Sequence, residues 1–291
     1  MSAMPFCSVS RPQNDLLAAL PPKEWAQVRP YIHSLFVPCG RTLYHPAANI
    51  DYVYFPSTAI ISLSYALIDG TADAVALIGR DGFVGIEAVL RCDSAPYHAR
   101  VQRAGHIYCI KCGHLLEACG RNGVMNELLL RYTQLTMKQL AQLVACNRHH
   151  PIDRQLCRWL LHYVDLVGSN DFSMTQEHIG NMLGVRRESV TAAARKLQFA
   201  GLISYQRGHV SILDRAGLEA RSCECYARRA EQGPPRVTLA PEYRSGNQSC
   251  RAIHAAQSTK FIPNGCDTRP QQPRRTTPSG EQPCYIPSQS Y

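Results

Sequence analysis

Residues 175–197 read TQEHIGNMLGVRRESVTAAARKL, and this stretch decides the fold. Two short helical periods meet in it at Gly184. In the first, Ile179, Met182 and Leu183 share one face at i, i+3, i+4 spacing, and Gly180 admits close approach of another helix. In the second, Val190, Ala193, Ala194 and Leu197 repeat the same period. Gly184 takes a left-handed conformation without steric cost, so a sharp turn there is cheap. Val185 is then placed to plug the angle between the helices. Thr175 is a cap for the first helix, and Glu177 suits the positive end of its dipole.

Downstream, Gly201 stops the second helix, and two apolar alternations follow at Leu202 to Tyr205 and His209 to Leu213. Gln206-Arg207-Gly208 separates them, which predicts a hairpin with a basic tip. A helix-turn-helix with a wing is the consistent reading. Arg186 is a poor N-cap and a poor charge for a helix N-terminus. That cost makes sense if the charge faces something outside the protein. In a helix-turn-helix this end meets base edges in the major groove. Arginine spans guanine O6 and N7 with two hydrogen bonds, and Glu188 can accept one from cytosine N4. Residues 181–210 carry five basic side chains against one acid, and the whole chain is +9. Such a balance permits a nucleic-acid partner without demanding one.

Working outward, 291 residues leave room for one large or two modest domains, and a 45 % hydrophobic share against 18 % charged predicts folded cores. No run approaches the roughly 18 apolar residues that span a bilayer, and the first twenty residues lack a signal-peptide core. We therefore expect a cytoplasmic protein with no membrane partner. From Val37 to about Lys111, glycines punctuate short runs with period two, including Tyr52 to Phe55, Ala59 to Leu67, Ala74 to Ile78 and His106 to Ile110. Many short strands at such intervals predict an antiparallel barrel or roll, with Asp69-Gly70 as one turn. A short helix follows at Leu115-Leu116. From Val124 a helical pattern runs for over twenty residues without proline or glycine, and Leu128, Leu135, Met137, Leu140 and Val144 suggest a coiled-coil-like seam between two copies, the alternative being a helix buried on the roll within one subunit. Two-fold symmetry would set two recognition helices one DNA turn apart, roughly 34 Å.

The expected fold is thus α+β: a helical segment at 1–34, a β-roll sensor at 35–122, a dimerisation helix at 123–147, a winged helix-turn-helix at 148–230, and a tail at 231–291. Asp214 to Ala230 reads as one short terminal helix. The tail holds nine of the nineteen prolines and seven basic against four acidic residues, so it is expected to stay disordered and to be dispensable, the alternative being non-specific DNA affinity through phosphate contacts.

With these parts in this order, the chain resembles the Crp/Fnr family of bacterial transcription regulators. The resemblance covers residues 35–228. It rests most on Tyr52-Val-Tyr-Phe-Pro56, Gly79-Arg-Asp-Gly-Phe-Val-Gly85, Ala145-Cys-Asn-Arg148 with Arg158-Trp-Leu-Leu161, and Met182-Leu-Gly-Val-Arg-Arg-Glu-Ser-Val190, with Cys223-Glu-Cys-Tyr226 familiar from one branch. It implies a homodimer that binds double-stranded DNA, with RNA polymerase as a further partner. Base reading falls on Arg187 and Glu188, with Arg186 just before them, and a third position falls on Ala192, which can touch a thymine methyl but not bond guanine. Thr175, Ser189, Thr191 and Arg207 are the implied phosphate contacts.

The effector pocket departs from the family pattern. The turn that faces a cyclic nucleotide becomes Gly85-Ile86-Glu87, and the phosphate-holding segment becomes Tyr97-His98-Ala99. Nothing there matches the arginine that would neutralise a buried phosphate, so no cyclic nucleotide and no cofactor is expected, which leaves another small effector or none. His98 would carry charge only when protonated.

Thirteen cysteines raise the question of a sensor. Only Cys7 lies near the N-terminus, which does not support an iron–sulfur cluster there. The spacing His106-x2-Cys109-x2-Cys112-x-His114 permits a metal or thiol pair, but Cys109 sits in a strand-like alternation and reads first as core. Cys146, His149 and His150 lie close in sequence without a partner carboxylate or nucleophile spacing, and they mark the break before Pro151. No catalytic motif is present, and an enzyme is not expected. The rival to DNA binding is a scaffold or protein-interaction module built on the β-roll.

Overall fold

The computed structural model describes residues 12–66, 72–120 and 123–232. The Asp69-Gly70 turn and nearly all of the proline-rich tail lie outside them. Two short helices open this part, α1 (Asp15–Ala18) and α2 (Pro22–Val28), followed by a 3-10 turn. Asn14 explains why they sit where they do. It is fully buried, its Oδ1 accepts from the N–H groups of Leu16 and Leu17, and its Nδ2 donates to the carbonyls of Pro56 and Gly82 at 2.9 Å. One side chain caps a helix and ties it to a strand end at Pro56 and a turn at Gly82.

Seven strands follow: β1 (His33–Val37), β2 (Thr42–Tyr44), β3 (Tyr52–Pro56), β4 (Ile60–Ala66), β5 (Ala72–Ile78), β6 (His98–Arg103) and β7 (Gly105–Lys111). Between β5 and β6 lies one turn of helix, α3 (Ile86–Val89). All pairings are antiparallel, in a sheet of order β1-β7-β3 and a sheet of order β2-β6-β4-β5. The strands match the expectation, but no closed sheet forms among the described residues. Val53, Phe55, Ile107 and Ile110 of one sheet share a core with Tyr44, Ile61, Ile78, Ala99 and Val101 of the other. Burial between two sheets replaces closure.

After α4 (Cys112–Cys119) comes α5 (Val124–His149), 26 residues long. Its N-terminus has no side-chain cap of its own; Glu24 supplies one, accepting from the N–H of Val124 at 3.0 Å and of Met125 at 2.9 Å. That carboxylate also opposes the helix dipole. Met125, Leu128 and Leu129 are buried in the sheet core, and Tyr132 packs at a tilt against Phe83 with centroids 5.0 Å apart. Leu128 is therefore used up within the chain, contrary to the seam expected from sequence. The apolar residues left in water are Leu130, Met137 and Val144, 43 %, 67 % and 70 % exposed, with Leu140 beside them. Their spacing of seven is that of one coiled-coil position.

Pro151 ends α5 and precedes α6 (Ile152–Val167), which Gly168 closes in the left-handed conformation. Its buried side carries Leu156, Trp159, Leu160 and Val164, as the period predicted. A second core forms between α6 and the elements after it, and it takes in Ile60, Ala74 and Leu77 of the sheet domain. The terminal helix expected from Asp214 is two, α9 (Arg215–Arg221) and α10 (Glu224–Gln232). Ser222 turns extended between them, with φ −66° and ψ 165°.

Candidate nucleic-acid interface

Helices α7 (Gln176–Leu183) and α8 (Arg187–Phe199) flank Gly184, whose φ of 66° and ψ of 35° are left-handed. Thr175 Oγ1 accepts from the N–H of His178 at 3.1 Å, so the expected cap is in place. Val190, Ala193, Ala194 and Leu197 are buried, and Val185 packs against the same core. Gly180 has a more specific role than helix approach. A Cβ there would lie 2.8 Å from the carbonyl oxygen of Val185, which is held nearby because its own N–H donates to Gly180 O at 3.0 Å. Gly180→Ala is therefore expected to destabilise the domain. The backbone clash costs roughly 1–3 kcal/mol, against about 1 kcal/mol gained in helix propensity. A lowered urea midpoint with unchanged slope would show it; a raised midpoint would mean that the turn gives way.

Beyond α8, β9 (Ile203–Gln206) and β10 (His209–Ile212) form the hairpin, turning on Arg207 and Gly208 with φ of 49° and 81°. Two positive φ values make the two-residue turn that suits strand twist. A third strand, β8 (Asp171–Ser173), pairs with β10 and was not legible in the sequence. Tyr205 donates its hydroxyl to Met174 O at 2.7 Å, and burial pushes its pKa up to about 12, fixing it as a donor.

Arg186, Arg187, Glu188 and Ala192 are all exposed at the start of α8, and no element of the sheet domain covers them. Glu188 and Ala192 stand one turn apart on one face. Arg187 lines a cleft of about 420 Å³ with Thr175, Gln176, Tyr205 and Arg207. The structure thus brings together two phosphate candidates and a base-reading candidate that lie far apart in sequence. Ser189 is half-buried. Thr191 departs from the expectation: its hydroxyl lies 2.6 Å from Gln176 Oε1 and 3.0 Å from Arg187 O, so its one proton is engaged inside the domain. It clamps α8 to the start of α7. The sheet domain is met by α7 instead, where burial and then Arg100 hold the His178 imidazole below the usual histidine range.

At the effector position, Gly85 is left-handed, and a Cβ there would meet Tyr44 Oη at 2.8 Å. Ile86 and Glu87 open α3, and Glu87 Oε2 accepts from Tyr97 Oη at 2.7 Å. Burial first, and then the Glu87 charge, raise the Tyr97 hydroxyl. His98 lies edge-on to His45. The carboxylate that resembles a ligand contact is thus engaged by the chain's own tyrosine.

Cys109 and Cys112 do not join His106 and His114 in any three-ligand group among the described residues. Cys109 is buried, Cys112 Sγ lies 2.9 Å from Ile50 O, and burial, followed by Asp51, pushes the Cys112 thiol up to about 11. His114 stacks on Tyr31.

Comparison with known proteins agrees with this geometry. Residues 154–221 match the Crp-like helix-turn-helix domain model. A putative transcriptional regulator of the Crp/Fnr family from Eubacterium rectale superposes with a TM-score of 0.59 at 16 % identity, over 72 % of this chain and 98 % of that one. FixK2 from Bradyrhizobium japonicum gives 0.59 at 17 %, over 66 % and 98 %. A CRP-family regulator from Thermus thermophilus gives 0.56 at 18 %, over 65 % and 96 %. No curated protein matches the chain by sequence. The chain thus shares its fold with these regulators and carries a match to a Crp-like helix-turn-helix domain. The matched residues, 154–221, take in α7, α8 and the β9–β10 hairpin.

Proposed function

We propose that this protein acts as a homodimer, reading a two-fold operator with Arg187, Glu188 and Ala192 and adding Arg186 at the edge of the reading set. One observation carries the reading: the N-terminal end of α8 stands free in solvent while Thr175 and Arg207 flank it across one cleft. Thr175, Ser189 and Arg207 hold phosphates and set register, while Thr191 keeps α8 on α7. Two α5 helices pair along Leu130, Met137, Leu140 and Val144. We read the two sheets as the faces of a cyclic-nucleotide-binding-like roll that receives a signal without cyclic nucleotide, Glu87 being bonded to Tyr97. A change there moves α5, and with it the spacing of the two recognition helices. The protein is non-catalytic, works in the cytoplasm and meets RNA polymerase at the promoter. Among the described residues no helix is long and apolar enough to cross a membrane.

Mapping bound fragments genome-wide is the test. The expected result is one motif with two-fold symmetry and half-sites about one helical turn apart. Fragments sharing no motif, or an asymmetric one, would overturn the dimeric base-reading account.

A further inference from the structure

Three buried cysteines, Cys146, Cys223 and Cys225, form a cluster of their own, apart from both apolar cores. His150 joins them. One atom from each, three sulfurs and an imidazole nitrogen, lie within 4.8 Å of one another. Cys146 Sγ is 3.6 Å from Cys223 Sγ, and Cys225 Sγ is 3.7 Å from His150 Nδ1. Sulfurs bound tetrahedrally at about 2.3 Å from one ion stand roughly 3.8 Å apart, so the cage has the size of a single metal site.

The ligands come from two places. Cys146 and His150 sit one turn apart at the end of α5, and Cys223 and Cys225 flank the start of α10, 77 and 75 positions away. Backbone bonds set both halves. The N–H of His150 donates to Cys146 O at 3.0 Å, Gln155 Nε2 to His150 O at 2.7 Å, and Gln142 Nε2 to Cys225 O at 3.1 Å. The other ring nitrogen of His150, Nε2, lies 3.2 Å from Glu224 Oε1. A carboxylate behind a histidine fixes the tautomer that leaves Nδ1 free as a ligand, an arrangement typical of metal-bound imidazoles. Arg158 supplies positive potential at Cys146 and Cys223, which offsets the excess charge of three thiolates on a divalent ion.

We propose that Cys146, His150, Cys223 and Cys225 bind one zinc ion tetrahedrally, stapling the end of the long helix to the last helix of the DNA-binding domain. Three thiolates and one imidazole are a closed structural zinc set, with no position left for water. Binding displaces three thiol protons to solvent. The ion fixes the break at Pro151, where α5 gives way to α6.

The test uses the full-length chain, purified reduced from zinc-supplemented cells. About one zinc per chain is expected, with X-ray absorption showing three sulfurs near 2.3 Å and one nitrogen near 2.0–2.1 Å. Cys223→Ser should drop the metal at least tenfold, while Cys109→Ser with Cys112→Ser should leave it unchanged. Should Cys223→Ser fail to fold, cobalt titration of demetallated parent protein decides: tetrahedral d–d bands with thiolate charge transfer should saturate at one equivalent. Metal-free protein that gives no such spectrum, metal retained equally by Cys223→Ser, or a Cys146–Cys223 disulfide in place of the ion would each overturn the proposal.

Discussion

Replacing Arg187 by alanine is expected to abolish operator-specific binding while leaving weak, salt-sensitive binding to any duplex. Arg187 is the first residue of α8, exposed, and free of any internal ion pair among those described. A bidentate arginine–guanine pair is worth roughly 1–3 kcal/mol of discrimination, so each half-site loses about 10- to 100-fold and a two-fold operator feels the loss twice. Arg207→Ala at the wing tip is the contrast. It removes one phosphate contact from each subunit, so affinity should fall evenly across sequences and the salt slope should shrink by about 2 for the dimer. Gel shifts at two salt concentrations with operator and scrambled duplex separate the two. An R187A protein that still prefers its operator would remove Arg187 from the reading set.

The second large effect lies along α5. Met137→Glu with Val144→Glu should convert the dimer to monomer and, through that, remove tight operator binding altogether. Leu130, Met137 and Val144 stand in solvent at one coiled-coil position, although the same helix buries Met125, Leu128 and Leu129 within its own chain. Burying a large apolar side chain is worth roughly 1.5–3 kcal/mol, and the seam contributes each residue twice. Two glutamates replace that gain with four facing charges. Since both positions are exposed in the single chain, the fold itself should survive. Light scattering coupled to size exclusion reads the mass, and circular dichroism checks the helices. A variant that stays dimeric would place the interface elsewhere.

The difference between Leu128 and Leu130 shows where sequence reading stopped. The period from Val124 onward correctly gave a long helix, but both leucines suit an apolar stripe. Only contact with the sheets says which stripe is spent internally. The wing behaved similarly. Arg207 and Gly208 announced their hairpin because a two-residue turn is set by local φ values, whereas β8 has three residues and no pattern of its own until β10 pairs with it. Thr191 looked like a phosphate contact by position along α8, yet Gln176 lies 15 residues earlier and claims its hydroxyl. The break at Ser222 was invisible because the helical pattern on either side is weak.

The cysteine cluster is the clearest case. Cys146 and His150 are spaced as ligands on one helical turn, and Cys223 and Cys225 as a close pair, but each pair alone is commonplace. Bringing them within 4.8 Å requires α10 to fold back on the end of α5.

By itself, the sequence determined the elements whose signals are local: the capped α7, the left-handed Gly184, the charged start of α8, the basic hairpin and the length of α5. These follow from backbone sterics and side-chain period within a few residues. Tertiary structure alone decided which apolar face of α5 remains free, that the strands pack as two sheets, which polar groups are already bonded internally, and that four distant ligands share one cage. Those outcomes depend on contacts between residues tens of positions apart, and no local pattern encodes them.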